Sequence, residues 1–289
     1  MKPIYAVTGI TGQVGGVVAR KLLDDGCAVR AVVRNPERAK PWADLGCEIA
    51  AAEMDDPLAL AEAFRGVDGV FILLPPNFDP DPKFSAPRKI IAAVHDALLA
   101  AAPPRIVVLS TIGGQIEEPT ILTALHLMEQ SLGALPLNIS FLRAGWFMEN
   151  TKWDIPAARE SGVVQSFLQP LDKPVPMVST EDVGLAAVGL LRRSGAPEVV
   201  EIEGPNRVTP NEIGSTLSKL LGREVRMESV PRDSWEELFR SQGSRYPQLR
   251  ARMLDGFNDG WIEFEKDKSL ILRGAIDLET ALRSLTESN

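Results

Sequence analysis

Between Ala6 and Gly26 the chain reads AVTGITGQVGGVVARKLLDDG: an apolar run, three glycines at Gly9, Gly12 and Gly15, then an amphipathic stretch. This order limits the fold more than any other feature of the sequence. A strand that turns at once into a helix needs residues without a Cβ, because the backbone reverses tightly and helix and strand then approach closely. Val14, Val18 and Leu22 recur at helical spacing, and Gly26 stands where such a helix would stop, so the pattern predicts a helix over 13–25.

The same rhythm continues for more than a hundred residues. The runs IYAVTG, AVRAVV, CEIAAAEM, GVFILLP, RIVVLS and LNISFLR are expected strands, separated by helical segments at 13–25, 36–45, 57–65, 84–101 and 119–133. Several runs are apolar on consecutive residues, as strands buried on both faces must be. The expected fold is therefore α/β, a doubly wound parallel sheet of the Rossmann type. Beyond residue 144 the texture changes, with Pro156, Pro170, Pro174, Pro176, Pro197, Pro205 and Pro210 spread through longer loops. Two helices stand out there, one capped by Ser179 with Asp182 three residues on, the other opened by a Thr209/Glu212 capping box with Pro210 at its first position and Gly222 at its end. We expect a dinucleotide-binding domain from 1–144 plus 177–203, and a smaller, discontinuous α/β substrate-side domain from 145–176 plus 204–289.

Within that fold the glycine loop carries the first candidate chemistry. Gly9 permits the turn, Gly12 lets backbone approach a pyrophosphate, and Gly15 lets helix and strand pack, while Thr11, Gln13 and Val14 complete a cradle at a helix N-terminus whose N–H groups attract an anion. The plainer alternative is a tight structural turn. At the end of the second strand, where an acid would bond the ribose 2′-hydroxyl of NAD, the chain carries Arg34, with Arg38 and Lys40 following. A guanidinium pairs with a 2′-phosphate, so the expected cofactor is NADP(H). The bland alternative for Arg34 is a solvated strand-end residue.

Other classes are disfavoured. A net charge of -8 repels a phosphate backbone, and the arginine-rich stretch 223–252 is interleaved with five acids, as on a solvated helix face. No apolar run approaches the ~18 residues of a membrane span, and no signal peptide precedes the first strand. We expect a cytoplasmic protein with no nucleic-acid or membrane partner. Cys27 and Cys47 stand alone near strand starts, and Asp79 and Asp81 lack further regularly spaced oxygen ligands, so no metal is expected. The loop carrying those two acids reads as a proline-stiffened rim over the cofactor crevice.

Taken together, TGITGQVG, VVRNPER, EMDDP, VVLSTIGG, FLRAGWFMEN and MVSTEDVGLAAVGLL resemble the NmrA-like family, the atypical branch of the short-chain dehydrogenase/reductases. EIEGPNRVTPNEIGSTLSKLLGREV extends the similarity into the smaller domain. The resemblance implies that Asp55 lies at the adenine, that Leu74, Pro75 and Pro76 border the ribose and nicotinamide, and that Ser110 and Thr111 end the fifth strand beside the nicotinamide. Trp146, Phe147 and Asn150 would line the crevice between domains. Ordinary packing between domains is the alternative for the two aromatics, and a helix-capping pair before Pro57 the alternative for Asp55 and Asp56.

Ordinary members of the wider superfamily carry a Tyr-x-x-x-Lys pair for proton transfer. Here neither Tyr5 nor Tyr246 is followed by a lysine at that spacing, and alignment on Glu129 puts the tyrosine position at Ile121 and the lysine position at Leu125. Two functions of different class fit. One is an NADPH-dependent oxidoreductase that delivers hydride to a small, readily reduced acceptor, quinone- or dye-like. The other is a non-catalytic NADP(H)-binding redox sensor acting through a protein partner. Phe78, Trp146, Phe147 and Trp153 can supply an aromatic acceptor pocket, which favours the reductase. His126 is the one titratable donor expected nearby, and His95 is expected on a helix surface.

Overall fold

The computed structural model describes residues 2–265 and 270–287. Its main body is one all-parallel sheet in the order β12-β10-β6-β5-β4-β1-β2-β3. The first six strands are β1 (Ile4–Thr8), β2 (Ala28–Val33), β3 (Glu48–Ala51), β4 (Gly69–Leu73), β5 (Ile106–Thr111) and β6 (Ile139–Ala144). Between them lie α1 (Gln13–Asp24), α2 (Lys40–Asp44), α3 (Pro57–Phe64), α4 (Ser85–Ala101) and α5 (Thr123–Gly133). Their order, 3-2-1-4-5-6, reverses direction between β1 and β4, which is where open α/β sheets bind ligands.

Period-two alternation along the strands feeds two separate cores. Val7, Val29, Ala31, Phe71, Val107 and Leu109 point to the face covered by α1 and by α7 (Thr180–Arg192). Their neighbours Ala6, Val32, Val70, Ile72, Ile106 and Val108 point to the face covered by α3, α4 and α5. Because both faces are buried, consecutive residues must be apolar, and the runs read as continuous hydrophobic segments.

The helix signals act locally as their chemistry requires. Asp56 accepts from the N–H groups of Leu58 and Ala59, Ser179 accepts from Asp182, and Thr209 and Glu212 form a reciprocal capping box. Gly26 follows α1 at φ 78° with its N–H on the Leu23 carbonyl. The expected helix over 119–133 begins only at Thr123, because Thr120 and Thr123 satisfy local N–H groups with their hydroxyls and the Ile121 N–H turns to the Leu249 carbonyl. The expected helix over 36–45 splits into a 3-10 turn, Pro36–Ala39, and α2.

A second body has its own core, with Trp235, Phe239, Leu217, Leu254 and Leu282 near its centre. It contains α6 (Ile155–Glu160), β8 (Val163–Ser166), α8 (Pro210–Leu221), β11 (Arg226–Ser229), α9 (Trp235–Ser241), α10 (Pro247–Asp259) and α11 (Leu278–Glu287), with β8 and β11 paired in parallel. A short parallel pair, β7 (Trp146–Phe147) and β9 (Met177–Val178), connects the two bodies. The remaining strands, β10 (Val199–Glu203) and β12 (Leu270–Arg273), extend the main sheet. Thus residues 270–273, expected in the smaller domain, form the sheet's outer strand, because β10 exposes an unpaired edge that the returning chain satisfies. Among the described residues no helix is long and apolar enough to cross a membrane.

Helix α7 packs directly against α1 through a glycine. A Cβ on Gly184 would lie 2.6 Å from the Val17 Cβ and 3.3 Å from the Val14 carbonyl oxygen. Gly184→Ala is therefore expected to destabilise the protein by about 1–3 kcal/mol, read as a lower urea midpoint with an unchanged slope.

Candidate functional site

At the carboxyl end of β1 the chain turns through Gly9, at φ 63°, a conformation that side chains rarely adopt. Gly15 sits beneath that turn, and a Cβ there would meet the Gly9 carbonyl carbon at 2.6 Å. Close approach of α1 to the turn thus requires glycine at both positions. Gly12 is the N-cap of α1 and, lacking a side chain, supplies no capping bond. Its own N–H goes to the Gly9 carbonyl, and Gly16 N–H goes to Gly12. The N–H groups of Gln13, Val14 and Gly15 find no acceptor among the described residues, and Thr11, Gly12 and Gln13 face solvent. Such an array can receive a diphosphate.

Arg34, just after β2, and Arg38, in the 3-10 turn that follows, are exposed, and neither side chain makes a hydrogen bond or ion pair among the described residues. Lys40 differs from them, because its ammonium lies 3.0 Å from Asp44. Two uncommitted guanidiniums near a helix N-terminus suit a ligand that carries both a diphosphate and a further phosphate, so these residues fit NADP(H). Beyond β3, Asp56 caps α3 while Asp55 pairs with Lys89 of α4 at 2.6 Å, and that hydrogen bond lowers its carboxyl pKa. The anticipated capping pair is thus divided, one acid on the helix and one on the neighbouring element.

The ends of β1 and β4 are tied together by Thr8, whose hydroxyl donates to the Phe71 carbonyl and accepts from Leu73 N–H at 2.8 Å. This fixes the start of the segment carrying Leu74 and Pro75. At the end of β5, Ser110 donates to Glu129 at 2.5 Å. Glu129 in turn takes a two-pronged contact from Arg143 on β6, with Nη2 to Oε2 at 2.6 Å. Arg143 also reaches Glu265 at 3.0 Å and Glu201 of β10 at 3.6 Å. Burial opposes the Arg143 charge, but the Glu129 and Glu265 hydrogen bonds and the Glu201 charge outweigh it and hold the guanidinium protonated.

His126, the anticipated donor, is otherwise employed. Its Nδ1 lies 2.8 Å from the Gly114 carbonyl, which can only accept, so Nδ1 carries the proton and anchors the loop after Thr111. The segment after α10 then straps the sheet's far side. Gln115 donates to the Glu263 carbonyl, Arg207 holds Glu263 through two bonds of 2.7 and 2.9 Å, and Glu203 of β10 takes Arg207 and Arg273. Asp182, at the first turn of α7, accepts from the N–H groups of Ala275 and Ile276. This ionic lattice covers the carboxyl ends of β6 and β10, leaving the ends of β1, β2 and β4 for a ligand.

The aromatics expected along the crevice lie as follows. Trp146 stands edge-on to Phe257 of α10 with ring centroids 5.2 Å apart, while Phe147 packs against the main core, so both aromatics have a packing role. Asn150 is exposed. Phe78 and Trp153 are 72% and 75% exposed, so neither forms an enclosing wall in this conformation; the Trp153 ring is stacked by Lys152 instead. The proline-containing rim is clasped across the crevice: Asp79 accepts from the Ser244 hydroxyl at 2.7 Å and from the backbone N–H groups of Arg245 and Tyr246. Asp81 turns inward to cap Lys83 and Ser85. The arginine-rich stretch is less solvated than expected. Arg250 lies 4.2 Å above the Phe239 ring, and burial lowers its pKa.

Two further acids are perturbed by their surroundings, Glu149 buried and Asp154 half-buried. Glu149 Oε1 accepts from the N–H and hydroxyl of Thr180, leaving Oε2 buried without a partner, and burial raises its pKa. Asp154, entering α6, is pushed by burial up to about 6. Glu149 lies within FLRAGWFMEN, one of the stretches that carry the resemblance, but only the packing of the 148–160 segment reveals what either acid touches. A cleft of ≈ 520 Å³ opens at the other end of the sheet, beside Arg105, Asn138 and Glu198, remote from the strand ends described above.

Comparison with known proteins places these residues in context. Residues 1–253 match the NmrA-like family. The chain is 34% identical over 233 residues to a (4-alkanoyl-5-oxo-2,5-dihydrofuran-3-yl)methyl phosphate reductase of Streptomyces griseus, covering 79% of this chain and 77% of that one. It is 26% identical to quinone oxidoreductase 2 of Escherichia coli, covering 83% and 82%. The crystal structure of Citrobacter sp. triphenylmethane reductase complexed with NADP(H) superposes with a TM-score of 0.80 at 22% identity, covering 97% of this chain and 99% of that one.

The two perturbed acids predict opposite responses to pH. Asp154 has a folded pKa near 6, above its ordinary 3.8, so its ionisation costs stability as pH rises through that interval. Asp154→Asn should therefore raise stability at pH 7 by about 2 kcal/mol and leave it nearly unchanged at pH 4, measured by urea unfolding. At Asp79 burial opposes the charge, but the bonds from Ser244, Arg245 and Tyr246 prevail and hold the carboxyl at about 2. Its contribution is present above pH 4 and lost towards pH 2, so Asp79→Ala should cost about 2 kcal/mol at pH 7 and little at pH 2.

Proposed function

The chain belongs to the NmrA-like family, and from that premise we propose that it is an NADPH-dependent oxidoreductase delivering hydride to a small, readily reduced acceptor of the quinone or dye type. The observation that carries this function is the pairing of two anion sites uncommitted among the described residues: three N–H groups at the start of α1, and the side chains of Arg34 at the end of β2 and Arg38 in the 3-10 turn that follows. Together they match the diphosphate and 2′-phosphate of NADP(H). The relatives are named for the reduction of conjugated acceptors, a butenolide phosphate and quinones among them. A structural neighbour is a dye reductase in complex with NADP(H).

When bound, the reduced nicotinamide supplies the hydride. The chain's own residues position the reactants. Thr8 holds the ends of β1 and β4 in register and so fixes the start of the segment whose Leu74 and Pro75 would border the cofactor. Ser110 is committed as a donor to Glu129, and His126 to Gly114, so both keep the loop after β5 rigid instead of donating to a ligand. Ile121, in the loop before α5, and Leu125, on α5, offer no group for proton transfer. Such a site suits acceptors whose conjugation makes hydride addition easy, for which orientation counts for more than acid catalysis.

The test is NADPH consumption by the purified protein with a panel of quinones, triphenylmethane and azo dyes and conjugated lactones, beside titrations of NADPH and NADH. Turnover with NADPH binding tighter than NADH is expected, whereas tight NADPH binding without turnover of any acceptor would overturn the enzymatic function in favour of a sensor. Arg34→Asp should weaken NADPH by roughly 10–100-fold while leaving NADH within a few fold. Equal losses would place the 2′-phosphate elsewhere.

A further inference from the structure

A reduced acceptor needs a proton as well as a hydride, and the familiar donors in the site are committed. Ser110 gives its proton to Glu129, and Glu129 is locked by Arg143. His126 gives its Nδ1 proton to Gly114, and Thr8 is held between Phe71 and Leu73. Glu149 Oε2 is sealed from solvent.

Tyr246 is different. Its backbone N–H donates to Asp79 at 2.9 Å, so the residue is fixed at the entrance of α10, against the rim of the crevice. Its ring packs on Phe84, Ala124 and Leu249, the same small cluster that receives Leu74 and Ile121. The Ile121 N–H reaches the Leu249 carbonyl at 3.2 Å, which joins this corner of α10 to the loop before α5. Ile121 is the position at which ordinary short-chain dehydrogenases resemble one another in carrying a tyrosine. A phenol therefore comes to that corner after all, from the small domain instead of from α5. Its hydroxyl is open to solvent and makes no hydrogen bond among the described residues. The Arg245 guanidinium lies 5.6 Å from the ring centroid, placing a cation beside it.

We propose that Tyr246 donates the proton to the oxygen of the acceptor as hydride arrives, resting on the reductase function proposed above. The balance is simple. The reduced nicotinamide loses two electrons as hydride, a bond forms from that hydrogen to the acceptor, and the acceptor's conjugated oxygen takes the electron pair. The phenol O–H bond breaks in favour of that oxygen, and the phenolate recovers a proton from water. A quinone gains a second proton the same way or from solvent, giving the hydroquinone.

The test is Tyr246→Phe in the full chain, which keeps the ring packing and the N–H to Asp79. NADPH affinity should be unchanged, and kcat for quinone or conjugated-carbonyl reduction should fall by roughly 100-fold or more. Independently of turnover, calorimetry should show a substituted hydroquinone binding roughly 5–10-fold more weakly to the variant, the loss expected for one hydrogen bond. An active wild type with unchanged kcat in the variant overturns the role of Tyr246 and leaves the reductase intact. A wild type that turns over no acceptor overturns the reductase, and hydroquinone binding then decides alone: absent in the wild type, or equal in both proteins, it overturns the contact.

Discussion

The approach of α1 to the turn after β1 is the contact on which the site depends. Helix and turn come so close that a methyl group on Gly15 would overlap the Gly9 carbonyl, and Gly9 itself occupies a backbone region that side chains disfavour. The reward for this closeness is a helix N-terminus aimed at the switch point of the sheet, with three N–H groups lacking acceptors. Helix α7 copies the device with Gly184 against Val17, so α1 is clamped between the sheet and a second helix and cannot tilt away from its anion site.

The other half of the sheet's carboxyl edge is closed by charge. Arg143 gathers Glu129, Glu201 and Glu265, and Arg207 gathers Glu203 and Glu263. Buried ion pairs of this kind add little net stability, because desolvation offsets their attraction, but they are intolerant of misplacement. Their consequence here is geometric. They dictate where the chain crosses after α10, which strand ends it covers, and where β12 joins the sheet. Ser110 hangs on the same lattice through Glu129, so the position of the loop after β5 is tied to Arg143 and its partners.

Two bridges join the smaller body to this edge, Asp79 on the entrance of α10 and Ile121 on Leu249, while Trp146 on Phe257 steadies α10 from within the smaller body. All three contacts hold α10 in place. Phe84 reinforces it from the main domain, holding a left-handed backbone at φ 54° while its ring is buried in the shared cluster. Strain at a bulky residue persists only where the surroundings over-determine it, and here they do so beside Leu74.

Local and periodic information was legible in the amino-acid sequence. Glycine spacing, alternating apolar runs and side-chain caps at Asp56, Ser179 and Thr209 act within a few residues, so the parallel sheet, its helices and the cofactor loop could be read without coordinates. Pairings across long stretches of chain could not. Ser110 with Glu129, Arg143 with Glu265, Asp79 with Tyr246 and the return of residues 270–273 to the sheet depend on which surfaces meet after collapse. His126 looked like a free donor and became a loop anchor, Phe78 and Trp153 looked like pocket walls and stand in solvent, and Tyr246 looked irrelevant and arrived at the corner that Ile121 leaves without a hydroxyl. Sequence alone determined the strands, the helices and the anion cradle, because those follow from backbone sterics and periodicity. Only the tertiary structure decided which polar groups remain uncommitted, because that depends on every partner each one finds in three dimensions.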